Sequence, residues 1–121
     1  MATRSLIALE NADGTCSSIY CHWDGYPGYV GAVLKESYTT LESVKELQAL
    51  GDLSSLGETL DKCVAYHRDR GEELRKPRVW KDRNELSEKA WDYADAEYVY
   101  LFVDGEWLVS KWREPNKWES F

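Results

Sequence analysis

Glu97-Tyr98-Val99-Tyr100-Leu101-Phe102-Val103, then Asp104-Gly105, then Glu106-Trp107-Leu108-Val109-Ser110-Lys111-Trp112 decides the fold class of this 121-residue chain. Two runs rich in β-branched and aromatic residues flank an Asp-Gly pair. Two-residue hairpin loops favour that pair because both central positions take positive φ. The stretch reads as a C-terminal β-hairpin. The other end of the chain repeats the pattern. Residues 4–10 and 15–22 are strand-like, and Asn11-Ala12-Asp13-Gly14 between them is turn chemistry, with Gly14 suited to positive φ.

Helical spacing fills the middle. Val30, Val33, Leu34 and Ser37 or Tyr38 share one face of a helix expected from Pro27 to Tyr38. Leu41, Val44, Leu47 and Leu50 stripe a second helix over about 40–50. Thr39 and Glu42 have capping-box spacing at its start, and Gly51 ends it. Residues 51–57 form an ordered connector, because Leu53 and Leu56 want burial. Residues 60–67 are expected as a strand, the basic segment after them as loop, and Asn84 as the cap of a short helix over about 85–93. The expectation is one domain, 1–121, of α+β class. An antiparallel sheet from the terminal hairpins, with the 60–67 strand, carries two to three helices on one face.

The net charge of −7 argues against a general DNA or membrane binder. It is unevenly spread. Residues 68–83 hold seven bases and four acids, a local +3 that leaves −10 for the rest. This is either a local anion site or a solvated, partly self-paired charge run. The longest apolar runs are five or six residues, too short to span a membrane, and the N-terminal stretch lacks the apolar core of a signal peptide. Three Cys then read as reduced thiols of a cytosolic protein.

Chemistry concentrates in Ile19-Tyr20-Cys21-His22-Trp23-Asp24-Gly25-Tyr26-Pro27-Gly28-Tyr29-Val30-Gly31. A strand breaks at Asp24-Gly25 and runs into a helix start lined with aromatics. Aromatic faces stack flat rings, and helix N–H groups hold anions. Metal binding is not expected. Cys16, Cys21, His22, Cys63 and His67 lack the tight Cys-x2-Cys pairs of zinc knuckles, and strand alternation puts Cys16 and Cys21 on opposite sides of the sheet. Catalysis lacks a signature as well. His22-Trp23-Asp24 and His67-Arg68-Asp69 carry Asp where two-histidine phosphoesterases need Ser or Thr. The second string matches a kinase catalytic loop in a chain far too short for a kinase. A Cys63–His67 pair has nothing in the sequence to orient it. Neither phosphate-loop glycine motif occurs, which disfavours the usual ATP- or NAD-dependent chemistry.

Stacking plus arginine remains. Tyr20, Trp23, Tyr26 and Tyr29 lie at the helix start, and Arg68 and Arg70 follow the neighbouring strand. His22 and Asp24 sit in the same motif, and Trp112-Arg113 repeats the aromatic-plus-base theme. Arg forks bind phosphate oxygens while rings stack bases. The competing assignment is core, for one of Tyr20 and Trp23 above all.

Three strings carry a family resemblance: Ile19–Pro27 with Val30-Gly31, Leu50-Gly51-Asp52-Leu53-Ser54-Ser55-Leu56-Gly57, and Ala65-Tyr66-His67-Arg68-Asp69-Arg70-Gly71-Glu72. Together with the chain length, they resemble small phage-encoded proteins of the first family of Thoeris anti-defence proteins. The resemblance covers about half of the chain. It implies a sponge that sequesters the glycocyclic ADP-ribose isomers made by TIR-domain defence enzymes, without degrading them and without a cofactor. Some members also hold cyclic oligonucleotides. It further implies a small-molecule nucleotide signal as partner, a homo-oligomer (a dimer, or a hexamer built from dimers), and the host cell cytoplasm as location. The competing functions are a small hydrolase or lyase of such signals using His22 or His67, and a protein–protein inhibitor of a host enzyme acting through exposed Trp and Tyr.

Overall fold

Both terminal hairpins form. In the computed structural model, which describes residues 2–121, β1 (Ser5–Glu10) pairs antiparallel with β2 (Cys16–Cys21), from Ser5 opposite Cys21 to Glu10 opposite Cys16. Gly14 takes φ +89° in the turn between them. A single π-helical turn, Pro27–Gly31, leads into α1 (Ala32–Ser37). Then come α2 (Leu41–Gln48), β3 (Leu53–Ser55), a 3-10 turn at Leu60–Lys62, β4 (Val64–Ala65) and α3 (Tyr66–Arg70). The chain finishes with β5 (Arg78–Trp80), α4 (Arg83–Ala94), β6 (Tyr98–Val103), β7 (Glu106–Lys111) and β8 (Glu119–Ser120). Asp104 and Gly105 join β6 to β7 with φ of 51° and 79°, the left-handed turn an Asp-Gly pair is suited to.

The class is α+β, but the sheet is mixed. Its order is β4-β3-β2-β1-β6-β7-β8, with β5 also on β2. The two hairpins meet through their first strands, β1 and β6, which run parallel from Ser5 opposite Tyr98 to Leu9 opposite Phe102. Parallel neighbours need a long crossover. Here that crossover ends in α4, which lies on the sheet face opposite α1 and α2. The expectation of helices on one face is therefore corrected. β1 sits in the middle of the sheet and is buried on both faces. Ile7 and Leu9 pack with Val30, Leu34, Val44 and Leu47. Leu6 and Ala8 pack with Trp80, Leu86 and Ala90.

Local departures have local causes. The expected 60–67 strand shrinks to two residues and a helix begins at Tyr66. The Asp69 carboxylate accepts from the Ala65 N–H at 2.8 Å, and the Arg68 guanidinium donates to the Leu60 and Cys63 carbonyls at 2.9 and 2.7 Å. Side-chain bonds of this kind compete with a ladder for the backbone. The connector is ordered, as expected, and contributes β3. The capping box uses Thr40 and Ser43 rather than Thr39 and Glu42. Asp82, not Asn84, caps α4. β5 emerges within the expected loop because Trp80 is buried against α4, with the Arg78 guanidinium 4.6 Å from the Trp80 ring centre and 4.7 Å from that of Tyr93. All three cysteines are free and buried, Cys16 on the α4 side and Cys21 on the other. No helix among the described residues is long and apolar enough to cross a membrane.

Candidate functional site

The outer edge of β2 is shared between two partners. β5 takes Cys16–Ser18, and β3 meets the strand at Cys21. Between them neither strand reaches. The Tyr20 N–H donates instead to the Asp52 carboxylate, at 3.0 Å. The chain from α3 to β5 must arch over this gap, and Gly51, at φ +77°, lets its Leu74 and Arg75 pack close. A pocket of ≈ 200 Å³ results. Tyr20 and Tyr66 supply aromatic wall, and Asp52, His67, Glu72, Glu73 and Arg75 supply polar wall.

A polar chain runs along the pocket's edge. The Tyr20 hydroxyl lies 2.6 Å from His22 Nδ1. Burial pushes the Tyr20 phenol up, and the nearby Arg4 guanidinium opposes that shift. One proton, carried by the phenol or by neutral His22, bridges the pair. Burial, with Arg4 and Arg70 nearby, holds the His22 pKa below its ordinary value, which favours that neutral form. Trp23 meets the His22 ring edge-on at 4.6 Å. The Arg70 guanidinium sits 5.2 Å from the Tyr66 ring centre and 3.4 Å from the Ser54 hydroxyl. Tyr20, His22, Trp23 and Arg70, four of the residues expected from sequence, thus come together, joined by Arg4 and Tyr66.

The other expected residues are placed differently. Tyr26 and Tyr29 are exposed on the corner, and the Tyr29 hydroxyl donates to the Leu56 carbonyl at 2.9 Å. Asp24, at φ +56°, turns the chain, and its carbonyl accepts from Val30. Four N–H groups of this corner are already used. Those of Gly25, Tyr29, Val30 and Gly31 donate to the carbonyls of Thr3, Tyr26, Asp24 and Tyr26. Arg68 is bonded within its own segment, to Asp69 at 2.9 Å and to two carbonyls. Trp112 stacks on Trp91 at 4.6 Å, with the Arg113 guanidinium 4.6 Å from the Trp112 ring centre. The Glu97 N–H donates to Arg4 and the Trp112 N–H to Glu97, so Trp112 and His22 end the same row of the sheet. Three strand spacings, roughly 14 Å, separate them, and Trp112 lines a separate pocket with Tyr98.

No family model, no curated protein and no solved structure matches this chain.

Sequence reading missed Arg4, Asp52, Tyr66 and the acids of the 72–75 arch. In sequence terms Arg4 reads as the start of a strand, and Asp52 as part of the ordered connector after a helix-ending glycine. Only the split edge of β2 brings them together. The geometry also bears on nucleophilic chemistry. Cys63 is buried, its sulfur accepting from the Gly57 N–H at 3.3 Å, while His67 Nδ1 is 2.7 Å from the Glu72 carbonyl. The thiol and the imidazole each serve another partner. Among the described residues, no cluster of three or more His, Cys, Asp or Glu is placed to hold a metal.

Proposed function

We propose that this chain is a non-catalytic binder that sequesters a cyclic nucleotide signal of the ADP-ribose type. In that reading it is a phage anti-defence sponge acting in the host cytoplasm as a homo-oligomer. One observation carries it: Tyr20, which lines the pocket with Tyr66 and Arg75, lies 2.6 Å from His22, and His22 meets Trp23 edge-on with Arg4 and Arg70 nearby. Rings stack bases and guanidiniums pair with phosphate. The resemblance of residues 19–31, 50–57 and 65–72 to the Thoeris anti-defence proteins supports the same ligand class. Sequestration works by mass action, so affinity and copy number suffice and no turnover is needed.

The volume bears on stoichiometry. At ≈ 200 Å³ the pocket falls below the ~300 Å³ at which small-molecule sites begin to enclose whole ligands. It takes one ring system, and the remainder of the ligand lies across the mouth, where a second copy would cover it. The test is to incubate the protein with glycocyclic ADP-ribose isomers, remove free ligand, and denature by heat. Recovery of intact ligand in proportion to protein supports the reading. Hydrolysed ligand, or none retained, overturns it.

A further inference from the structure

We propose that the Tyr20 pocket reads the amino-bearing edge of a nucleobase while the rim outside it takes the phosphate of the same ligand; this rests on the nucleotide-binding reading above. The two halves of the site have opposite hydrogen-bonding character. The rim donates. Arg4 and Arg70 bring guanidiniums beside the His22 ring, and the Arg70 guanidinium lies 3.4 Å from the Ser54 hydroxyl and 5.2 Å from the Tyr66 ring centre. The pocket accepts. Asp52, Glu72 and Glu73 bring carboxylates to its wall. His67 is held at the wall by its Nδ1–H, which donates to the Glu72 carbonyl at 2.7 Å. Arg75 is the single guanidinium of the wall, outnumbered by carboxylates three to one.

A phosphate placed inside this pocket would face carboxylates, and like charges there are costly. A base with a carbonyl in place of an exocyclic amine would set that oxygen against the same acceptors. An amino group on a flat ring satisfies both demands. It donates to the carboxylates, and the ring lies between the Tyr20 and Tyr66 side chains. Arg70 ties the halves together. Its guanidinium lies over the Tyr66 ring and stands near His22, so it backs the aromatic wall while facing the rim. The orientation that follows is base inward and phosphate outward, with an exocyclic amine as the selected feature.

Calorimetric titration with ADP-ribose, its inosine counterpart and ribose 5-phosphate separates the outcomes. The inosine compound replaces the exocyclic amine by a carbonyl, and ribose 5-phosphate lacks the base. The expected order is ADP-ribose tighter than the inosine compound by about tenfold or more, and ribose 5-phosphate weakest. Glu72→Gln combined with Glu73→Gln replaces two carboxylates by amides that donate as well as accept, and so reduces that base preference while rim binding persists. Arg70→Gln weakens all three probes alike. Circular dichroism of each variant, with an unchanged thermal midpoint, confirms that the surface changes leave the fold intact. Equal affinity for the adenosine and inosine compounds, or a preference undiminished by both glutamine substitutions, overturns this inference and leaves nucleotide sequestration standing. Failure of every probe and of the cyclic isomers to bind overturns both.

Discussion

At the scale of single residues, chemistry and position separate sharply. Arg68 and Arg70 are two residues apart and equal in sequence terms, yet their surroundings differ. Arg68 is occupied by Asp69 and two backbone carbonyls, whereas Arg70 lies on Tyr66 beside His22. Arg68→Ala is therefore expected to lower the melting temperature without changing nucleotide affinity, and Arg70→Ala to do the reverse. Paired thermal melts and titrations check it. The surroundings of His22 give a second expectation. His22 has a folded pKa below 6.5 and gains no proton that the unfolded chain lacks. Its contribution to stability is full above about pH 6.5 and declines as pH falls through the folded value, because the unfolded state then binds more protons. Arg70→Gln removes one of the cations that hold the His22 pKa down and should move the His22 midpoint upward. Nitrogen-15 spectra of the imidazole measure the midpoint in both proteins. A midpoint at or above 6.5 in the unaltered protein would contradict this assignment.

At the scale of elements, legibility follows how far a signal reaches along the chain. The hairpins were readable because alternation and the Asp-Gly turn act over a few residues. Helix caps were misplaced by one or two positions, since Thr39 and Thr40, or Asp82 and Asn84, compete on equal terms until packing chooses between them. The 60–67 segment was misread for a deeper reason. Its β-like composition is overridden by side-chain bonds from Arg68 and Asp69 and by a close fold-back onto Gly57. A Cβ added at Gly57 would lie 2.5 Å from the Lys62 carbonyl carbon and 2.6 Å from its oxygen. Backbone cannot yield as a side-chain tip can. The Gly57 carbonyl also accepts from the Tyr38 hydroxyl at 2.8 Å, and its N–H donates to Cys63. Gly57→Ala should accordingly cost about 3 kcal/mol, the upper end for overpacking, measured by urea unfolding. A loss below about 1 kcal/mol would mean that the connector and the 3-10 turn are not held against each other as described.

At the scale of the whole molecule, one strand joins two cores. The run Ser5-Leu6-Ile7-Ala8-Leu9 is continuously apolar after its serine, the pattern of a strand covered on both faces. The sequence expectation places helices on one face only, whereas cores on both faces of β1 show that both sides are filled. The candidate site was half legible for the same reason. Tyr20, His22, Trp23 and Arg70 could be picked by residue type, but Arg4 and Asp52 join them only through tertiary structure. Because β1 contributes Ile7 and Leu9 to one core and Leu6 and Ala8 to the other, neither layer can open without stripping that strand. The cysteines report each layer separately. Burial raises the thiol of Cys16, on the α4 side, to about 11, and that of Cys21, on the α1–α2 side, to about 12. Neither forms appreciable thiolate at neutral pH, so labelling requires opening. Leu34→Ala in one core and Leu86→Ala in the other should each cost about 2–5 kcal/mol. In either variant, labelling of Cys16 and Cys21 should accelerate together, by the factor that the loss of global stability dictates. Mass spectrometry of each labelled peptide tests this. Acceleration of Cys16 alone in Leu86→Ala would show that α4 detaches by itself, and would break the coupling that β1 is argued to impose.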